Sequence, residues 1–158
     1  MVKEYSGKLN GKGRRIGIVV SRFNENITKR LLEGCLDELA KAGVKKKNLS
    51  VCWVPGAFEI SLAAQELAKK KTIDAVICLG AVIRGETYHY ELVAQGAAQG
   101  IAKVALDCSK PVIFEVLATD TVEQANKRSQ ENGDNKGRDA ALAALEMADL
   151  LVNIKKQS

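Results

Sequence analysis

The sequence is poor in several residue types on which common functions depend. Among its 158 residues it has one histidine, two prolines and one tryptophan, and aromatic residues make up only 4%. No apolar run approaches the roughly 20 residues that a membrane-spanning helix needs, and the first residues lack the apolar core of a secretory signal. We therefore expect a cytoplasmic protein that has no membrane partner.

Motifs for common cofactors are also missing. No Gly-x-Gly-x-x-Gly follows a predicted strand and there is no Walker loop, which disfavours dinucleotide and nucleoside-triphosphate sites. A single histidine, together with cysteines that lack metal-like spacing, gives poor support to a metal centre. The four cysteines lie in apolar patterns and are predicted to be small buried residues in a reducing compartment. They are Cys35, Cys52, Cys78 and Cys108.

The formal net charge of +5 is the one feature that could indicate nucleic acid. The lysines, however, are spread along the chain or clustered at predicted helix ends, and no aromatic residues are interleaved with them as stacking platforms. We therefore expect no nucleic-acid partner. A basic surface still attracts phosphorylated small molecules.

What the sequence does contain is a fourfold alternation of strand and helix. Each of four apolar runs is followed by a segment with helical spacing of apolar residues. The predicted strands are 15–20, 49–54, 75–79 and 112–117. This order predicts one domain over residues 1–158, a three-layer α/β/α sandwich with a four-stranded parallel sheet. Residues 1–14 are expected to form an N-terminal arm with a short strand that pairs elsewhere.

Capping residues and apolar spacing locate the predicted helices. Asn24 is a good N-cap for the helix after the first strand. Thr121 and Gln124 have capping-box spacing before the helix that follows the fourth strand. The helix after the third strand is expected to begin at Glu91. The helix after the second strand is expected to face inward with Ile60, Ala64, Leu67 and Ala68.

The stretch 80–91 is the strongest candidate for chemistry. It follows the run 75–79, which we expect to end as a strand at Gly80, and it precedes a helix. Ligands collect where loops leave the carboxyl ends of parallel strands. N–H groups at a helix start attract anions, so residues 85–87 are predicted to hold a phosphate and His89 to carry protons. Taken alone, the stretch is better explained as an ordinary turn with a surface histidine than as a catalytic loop. The loops after the other strands favour the catalytic interpretation.

Five loop motifs follow one another along the chain. They are Ser21-Arg22-Phe23-Asn24, Pro55-Gly56-Ala57-Phe58-Glu59, Gly80-Ala81-Val82-Ile83-Arg84-Gly85-Glu86-Thr87-Tyr88-His89-Tyr90, Pro111-Val112-Ile113-Phe114 and Asn135-Lys136-Gly137. Each motif alone is weak, but five in the same order over residues 5–151 are specific. Taken together, they closely resemble lumazine synthase, the family that catalyses the penultimate step of riboflavin biosynthesis. The resemblance implies the flavodoxin-like form of the sandwich.

The resemblance also implies a reaction. In the family, 5-amino-6-(D-ribitylamino)uracil condenses with 3,4-dihydroxy-2-butanone 4-phosphate to give 6,7-dimethyl-8-ribityllumazine, phosphate and water. An imine forms, phosphate leaves, and the ring closes with loss of water. The implied protein is a transferase that uses no metal and no organic cofactor.

Site residues follow from the resemblance position by position. His89 is the implied catalytic residue. The residues implied to bind the pyrimidine and its ribityl chain are Phe23, Asn24, Ala57, Phe58, Glu59, Ala81, Val82, Ile83, Phe114 and Lys136. Those implied to bind the phosphate are Gly85, Glu86, Thr87 and Arg128. Phe114 and Lys136 are expected to reach in from a neighbouring subunit, and Arg84 is set aside because the family pattern gives the phosphate to Arg128.

Assembly is the remaining implication. Members of the family form pentamers, some of which close into icosahedral shells, and riboflavin synthase is a candidate partner. Gly96 and Gly100 predict a close approach by another helix, either inside the subunit or between subunits. The loop 129–134 is more acidic than is usual in the family, which keeps open a non-catalytic protein of the same fold that binds a flavin or lumazine or forms a shell. A flavodoxin-like regulator is disfavoured because no acidic pocket follows the first strand.

Overall fold

The computed structural model of the chain describes residues 1–156, and its centre is a parallel sheet with the strand order β2–β1–β3–β4. The strands are β1 (Ile16–Ser21), β2 (Leu49–Val54), β3 (Ala75–Ile83) and β4 (Val112–Thr119). The helices are α1 (Glu25–Lys41), α2 (Ile60–Ala68), α3 (His89–Cys108), α4 (Val122–Lys127) and α5 (Lys136–Lys155). Helices cover both faces of the sheet, so the predicted three-layer α/β/α class is confirmed.

The two inner strands explain the apolar runs in the sequence. Every residue of β1 is buried, and β3 is buried until its last residue, as expected for strands covered on both faces. One face packs against α1 and α5, where Leu31 and Leu145 are fully buried, and the other packs against α2 and α3, with Ile60 and Ile101. Each such side chain contributes roughly 1.5–3 kcal/mol relative to solvent exposure.

The end of β3 differs from the sequence-based prediction. The strand does not stop at Gly80 but continues to Ile83, because β4 pairs with it as far as Ile83 and Thr119. The space beside Gly80 is tight, since a Cβ atom there would lie 3.0 Å from Ile60 Cδ1 and 3.1 Å from Ser21 Oγ, and these side chains would have to move slightly to accept it. The glycine therefore lets the sheet and α2 approach each other below the loops.

Helix α1 begins where the sequence predicts, but the Asn24 side chain does not cap it. Asn24 stands at the N-cap position, yet its side chain makes no capping hydrogen bond and its backbone is left-handed, with φ 58°. Its Nδ2 instead donates to Ala81 O at 2.9 Å. The capping box predicted for α4 is confirmed, because Gln124 N donates to Thr121 Oγ1 at 3.2 Å while the Gln124 side chain accepts from the Thr121 N–H.

The N-terminal arm lies along α5. Lys8 N donates to Asp149 Oδ2 at 2.8 Å, and Asn153 Nδ2 donates to Ser6 O at 2.9 Å. The bond from the Lys8 N–H, assisted by Arg14, holds the pKa of Asp149 below its usual range. The arm contains no strand within residues 1–14, so its predicted strand is not formed in the single chain.

All four cysteines are free thiols. Cys35 and Cys78 are buried, and burial raises the pKa of Cys35 to about 12 and that of Cys78 further still. Both are therefore unreactive thiols. Of the helices described over residues 1–156, none combines the length and the apolar character that crossing a bilayer requires.

Candidate active site

A cleft of about 710 Å³ opens at the rim of the sheet where the strands end. Loops after β1, β2 and β3 and the first turns of α3 form its walls. The predicted site residues that line it are Phe23, Ala57, Phe58, Glu59, Ala81, Val82, Ile83, Gly85, Thr87 and His89. A second cavity, of about 540 Å³, lies at the opposite end of the sheet beside Arg15 and Asn48 and holds none of the predicted site residues.

Two aromatic side chains stand at the cleft with most of their surface in solvent. Phe23 is 71% exposed and Phe58 is 59% exposed. Large apolar side chains grouped at a concave surface mark binding sites, and phenyl rings prefer offset or edge-on contact with another ring. This end of the cleft therefore suits a flat heteroaromatic ligand.

The floor of the cleft is an unpaired edge of β3. Pairing between β1 and β3 ends at Val20 and Leu79, whereas β4 pairs with β3 as far as Ile83. Residues 80–83 thus extend past β1 and, within residues 1–156, pair with no strand on that side. On this edge Asn24 Nδ2 donates to Ala81 O. The peptide groups of Gly80 and Val82 face β4, so those of Ala81 and Ile83 face the cleft. A ligand with a polar edge could pair with them, because peptide groups hidden from water need a partner.

Glu59 supplies the one carboxylate of the cleft wall. It lies at the end of a short 3-10 turn, Ala57–Glu59, that leads into α2. Its Oε2 accepts from Gly56 N at 2.9 Å, which fixes the side chain. Among residues 1–156, its Oε1 has no hydrogen-bond partner and is available to a hydroxyl donor.

The loop between β3 and α3 is open and exposed. A Cβ atom at Gly85 would meet nothing within 4 Å, so ligand atoms can approach this backbone closely. Thr87 Oγ1 accepts weakly from His89 N at 3.4 Å, and α3 begins at His89, two residues before the predicted start at 91. The positive end of the helix dipole therefore faces this loop, in keeping with an anion there.

Five predicted site residues do not line the cleft of the single chain. They are Asn24, Glu86, Phe114, Arg128 and Lys136. Arg128, at the end of α4, donates through Nη1 to Gln124 O at 2.9 Å. Phe114 is 42% exposed on the edge strand β4, and Lys136, the first residue of α5, pairs with Asp139 at 3.0 Å.

Arg84 forms ion pairs with two carboxylates and packs on an aromatic ring. Its Nε donates to Asp120 Oδ1 at 2.7 Å and its Nη1 to Glu91 Oε1. Its guanidinium carbon also lies 4.5 Å from the centre of the Tyr90 ring. The cation nearest the phosphate motif in sequence is therefore committed to an ion-pair cluster.

The sequence profile of the 6,7-dimethyl-8-ribityllumazine synthase family matches residues 13–152 of this chain. The chain belongs to this family. A curated 6,7-dimethyl-8-ribityllumazine synthase of Protochlamydia amoebophila (strain UWE25) is 57% identical over 149 residues, which cover 94% of this chain and 87% of that protein. The family identified from the loop motifs, and with it a transferase of riboflavin biosynthesis, is thereby confirmed.

In this lumazine synthase family member, α3 contributes more of the cleft than the motifs predict. Tyr90, Leu92 and Val93 line it alongside His89, and Pro55 and Gly56 line it after β2. His89, Leu92 and Val93 are spaced i, i+3, i+4, so they share one helix face. The spacing from His89 is therefore the sequence feature that could have identified Leu92 and Val93 as residues of the cleft.

Glu115 is a further titratable group near predicted site residues. It follows Phe114 on β4, and burial raises its pKa to about 7 against a partial opposing effect of the Lys136 ammonium. Asp139 is the main cause that raises the pKa of Lys136 in turn. Within residues 1–156, no group of three histidine, cysteine, aspartate or glutamate side chains is arranged to hold a metal ion.

Proposed function

We propose that the cleft at the sheet rim is where 5-amino-6-(D-ribitylamino)uracil condenses with 3,4-dihydroxy-2-butanone 4-phosphate to give 6,7-dimethyl-8-ribityllumazine, phosphate and water. One observation carries the proposal. Two exposed phenyl rings, an unpaired strand edge, a carboxylate and the sole histidine of the chain line a single cleft, and the chain belongs to the lumazine synthase family.

The pyrimidine binds between the aromatic residues and the strand edge. Phe23 stacks on the ring, while Ala57 and Phe58 form the wall behind it. The backbone of the segment Ala81, Val82 and Ile83 pairs with the polar edge of the uracil, through the peptide groups of Ala81 and Ile83 that face away from β4. The support for this arrangement is the early end of β1 pairing at Leu79.

The ribityl chain lies beside Glu59. Its hydroxyls donate to the carboxylate, whose Oε2 accepts from Gly56 N while Oε1 has no partner in the part of the chain that the structure describes. Hydrogen bonds to an ionised acceptor contribute about 1.5–3 kcal/mol each. Asn24 acts indirectly here, because its bond to Ala81 O fixes the strand edge next to the chain.

The phosphate of the second substrate binds at the loop before α3. Backbone N–H groups of Gly85, Glu86 and Thr87 donate to its oxygens, and the Arg128 guanidinium pairs with them. The Glu86 carboxylate turns to water, since like charges repel, and its side chain is exposed. The helix dipole adds attraction at this end of α3.

The catalytic contribution is largely positional. Holding amine and ketone side by side lowers the entropic barrier, an effect worth up to roughly 7–11 kcal/mol in well-oriented systems. Imine formation, loss of phosphate and ring closure each move protons, and an imidazole has the proton affinity that suits such transfers near neutral pH. His89 lines the cleft and performs them.

A neighbouring subunit completes each site. Phe114 and Lys136 lie outside the cleft of their own chain, and we propose that they enter the cleft of the next chain around a ring. We propose that the assembly is a pentamer, either on its own or as the unit of an icosahedral shell, with riboflavin synthase as a candidate protein partner. We place the protein in the cytoplasm.

The test is product formation by the purified protein. Mixing both substrates in the presence of a metal chelator is expected to give the fluorescent lumazine and one equivalent of phosphate, while either substrate alone gives neither. Tight binding of a flavin or lumazine without turnover would instead support the non-catalytic alternative and contradict this proposal.

A further inference from the structure

Arg84 joins three segments that surround the phosphate motif. Its own backbone N donates to Thr119 O at 2.9 Å, at the end of β4. Its guanidinium donates to Asp120 in the connection from β4 to α4 and to Glu91 in the first turn of α3. It also lies over the ring of Tyr90, 4.5 Å from its centre. One side chain thus ties the ends of β3 and β4 to the start of α3.

The connection held by Asp120 continues to Arg128. Asp120 N donates to Gln124 Oε1 at 2.8 Å, and the main-chain oxygen of Gln124 accepts from Arg128 Nη1 at 2.9 Å. Asp120 therefore sits between Arg84 and the turn that orients the Arg128 guanidinium. We therefore expect that a shift of Asp120 would move Gln124 and, through it, Arg128.

The other contact of Arg84 is its ion pair with Glu91 in the first turn of α3. Glu91 Oε2 is buried and, within residues 1–156, has no hydrogen-bond partner, so Arg84 is the group that compensates this carboxylate. A carboxylate left without a partner favours rearrangement towards water. Such a rearrangement would move the first turn of α3, which begins at His89.

We propose that Arg84 is a positioning residue, which does not bind the phosphate but fixes the loop 85–87 at its start and, through Asp120, the turn that carries Arg128. This inference rests on the proposed function. The cluster of Arg84, Glu91 and Asp120 carries a net charge of −1, which itself repels an anion. The cluster therefore contributes to phosphate binding by positioning the neighbouring segments and not by its charge.

The alternative role of Arg84 is direct phosphate binding. The variant Asp120→Asn distinguishes the two roles. If Arg84 is a ligand, Asp120→Asn frees it from a competing carboxylate and removes a nearby negative charge, so phosphate affinity rises. If Arg84 is a positioning residue, the same change loosens the link to Gln124 and Arg128, so phosphate affinity falls. The two roles predict opposite signs.

The experiment compares Arg84→Gln, Arg84→Lys, Asp120→Asn and the double variant with wild type. Steady-state kinetics give KM for each substrate, and equilibrium dialysis gives the Kd of inorganic phosphate without turnover. The control is Lys103→Gln, which breaks an exposed pair with Asp107 at 2.7 Å farther along α3.

Asp120→Asn and Arg84→Gln are expected to raise the KM of the phosphate substrate and the phosphate Kd by about 10-fold, a typical loss for a charge-assisted contact. KM for the uracil substrate stays within about 2-fold, and Arg84→Lys restores part of the loss, since lysine keeps the charge but not the fork. The double variant loses no more than Arg84→Gln, because the two residues act as one unit.

A Kd for inorganic phosphate that falls or stays unchanged in Asp120→Asn would overturn the inference, as would equal changes of KM for both substrates. A wild-type protein that makes no product would instead contradict the proposed function. In that case the phosphate Kd still decides the role of Arg84.

Discussion

Phe58 lies against Gly96, at the place that a side chain on this helix position would occupy. A Cβ atom at Gly96 would come within 2.6 Å of Phe58 Cε2 and 3.0 Å of Cδ2. Gly96 belongs to α3, whereas Phe58 belongs to the turn before α2, so the glycine lets the two elements meet at the cleft wall. The close approach predicted for Gly96 and Gly100 thus occurs inside the chain.

Gly96→Ala is therefore predicted to displace the Phe58 ring. The ring is 59% exposed, so it can move outward at little cost to folding. The KM for the uracil substrate should rise about 5- to 10-fold, in line with the 0.5–1.5 kcal/mol of an aromatic contact. Thermal unfolding should show an unchanged or higher Tm, because alanine is the better helix former.

Gly100→Ala is the matched control for that prediction. A Cβ atom there would lie 2.7 Å from Ser61 Oγ and 2.8 Å from Ser61 Cβ, so it would push α2 rather than the ring. It should lower Tm and leave the KM for the uracil substrate nearly unchanged. The reverse pattern in the two variants would show that Phe58 does not contact the substrate.

His89→Ala is predicted to lower kcat by about 10²- to 10⁴-fold, the usual contribution of a positioned acid–base group. Both KM values should stay within about 3-fold, since a proton carrier acts mainly in the transition state. The control is Tyr88→Phe, an exposed neighbour that does not line the cleft. Unchanged kcat in steady-state assays of His89→Ala would remove His89 from the mechanism.

Arg128→Ala is predicted to weaken binding of the phosphate substrate. Loss of a charge-assisted contact worth about 1.5–3 kcal/mol raises its KM by roughly 10- to 100-fold. The KM for the uracil substrate should not change. Lys127→Ala, which removes the adjacent exposed cation, separates this effect from a general loss of positive charge, and equal effects of the two variants would refute the assignment.

The raised pKa of Glu115 predicts that the free energy of unfolding depends on pH. Burial raises its pKa from 4.5 to about 7 in the folded chain, so the folded state keeps a proton that the unfolded state releases. Stability therefore falls as pH rises from about 4.5 to about 7 and levels off above. Because the side chain is only half-buried, solvent screening reduces the effect to about 1–2 kcal/mol.

Urea unfolding of Glu115→Gln between pH 4.5 and 8 checks this prediction. Glu115→Gln should not lose stability between pH 4.5 and 7 and should be more stable than wild type above pH 7. The control Glu123→Gln changes an exposed carboxylate on α4 and should lose stability with rising pH as wild type does. Parallel pH profiles of wild type and Glu115→Gln would contradict the assigned pKa.

Local patterns in the sequence predicted the helices and strands because burial is periodic. On α2, for example, the predicted inward positions Ile60, Ala64, Leu67 and Ala68 are all buried. Strand ends were predicted less well, because they depend on a partner strand. The sequence predicts that β3 stops at Gly80, yet its pairing with β4 continues to Ile83.

Family motifs predicted residues of the cleft, but not how they are held. Arg84 and Asp120 are 36 positions apart and meet only after the chain folds. No spacing rule relates them, and the same is true of Phe58 and Gly96. The capping role predicted for Asn24 was wrong for a similar reason, since its partner Ala81 is distant in sequence.

The most direct test of the account is complementation between inactive chains. If each site combines His89 of one chain with Lys136 of the next, then co-expressing His89→Ala and Lys136→Ala chains restores about a quarter of the wild-type sites in a randomly mixed ring. Each variant alone should be nearly inactive. Activity of the mixed oligomer no higher than that of the separate variants would contradict a site built across the subunit boundary.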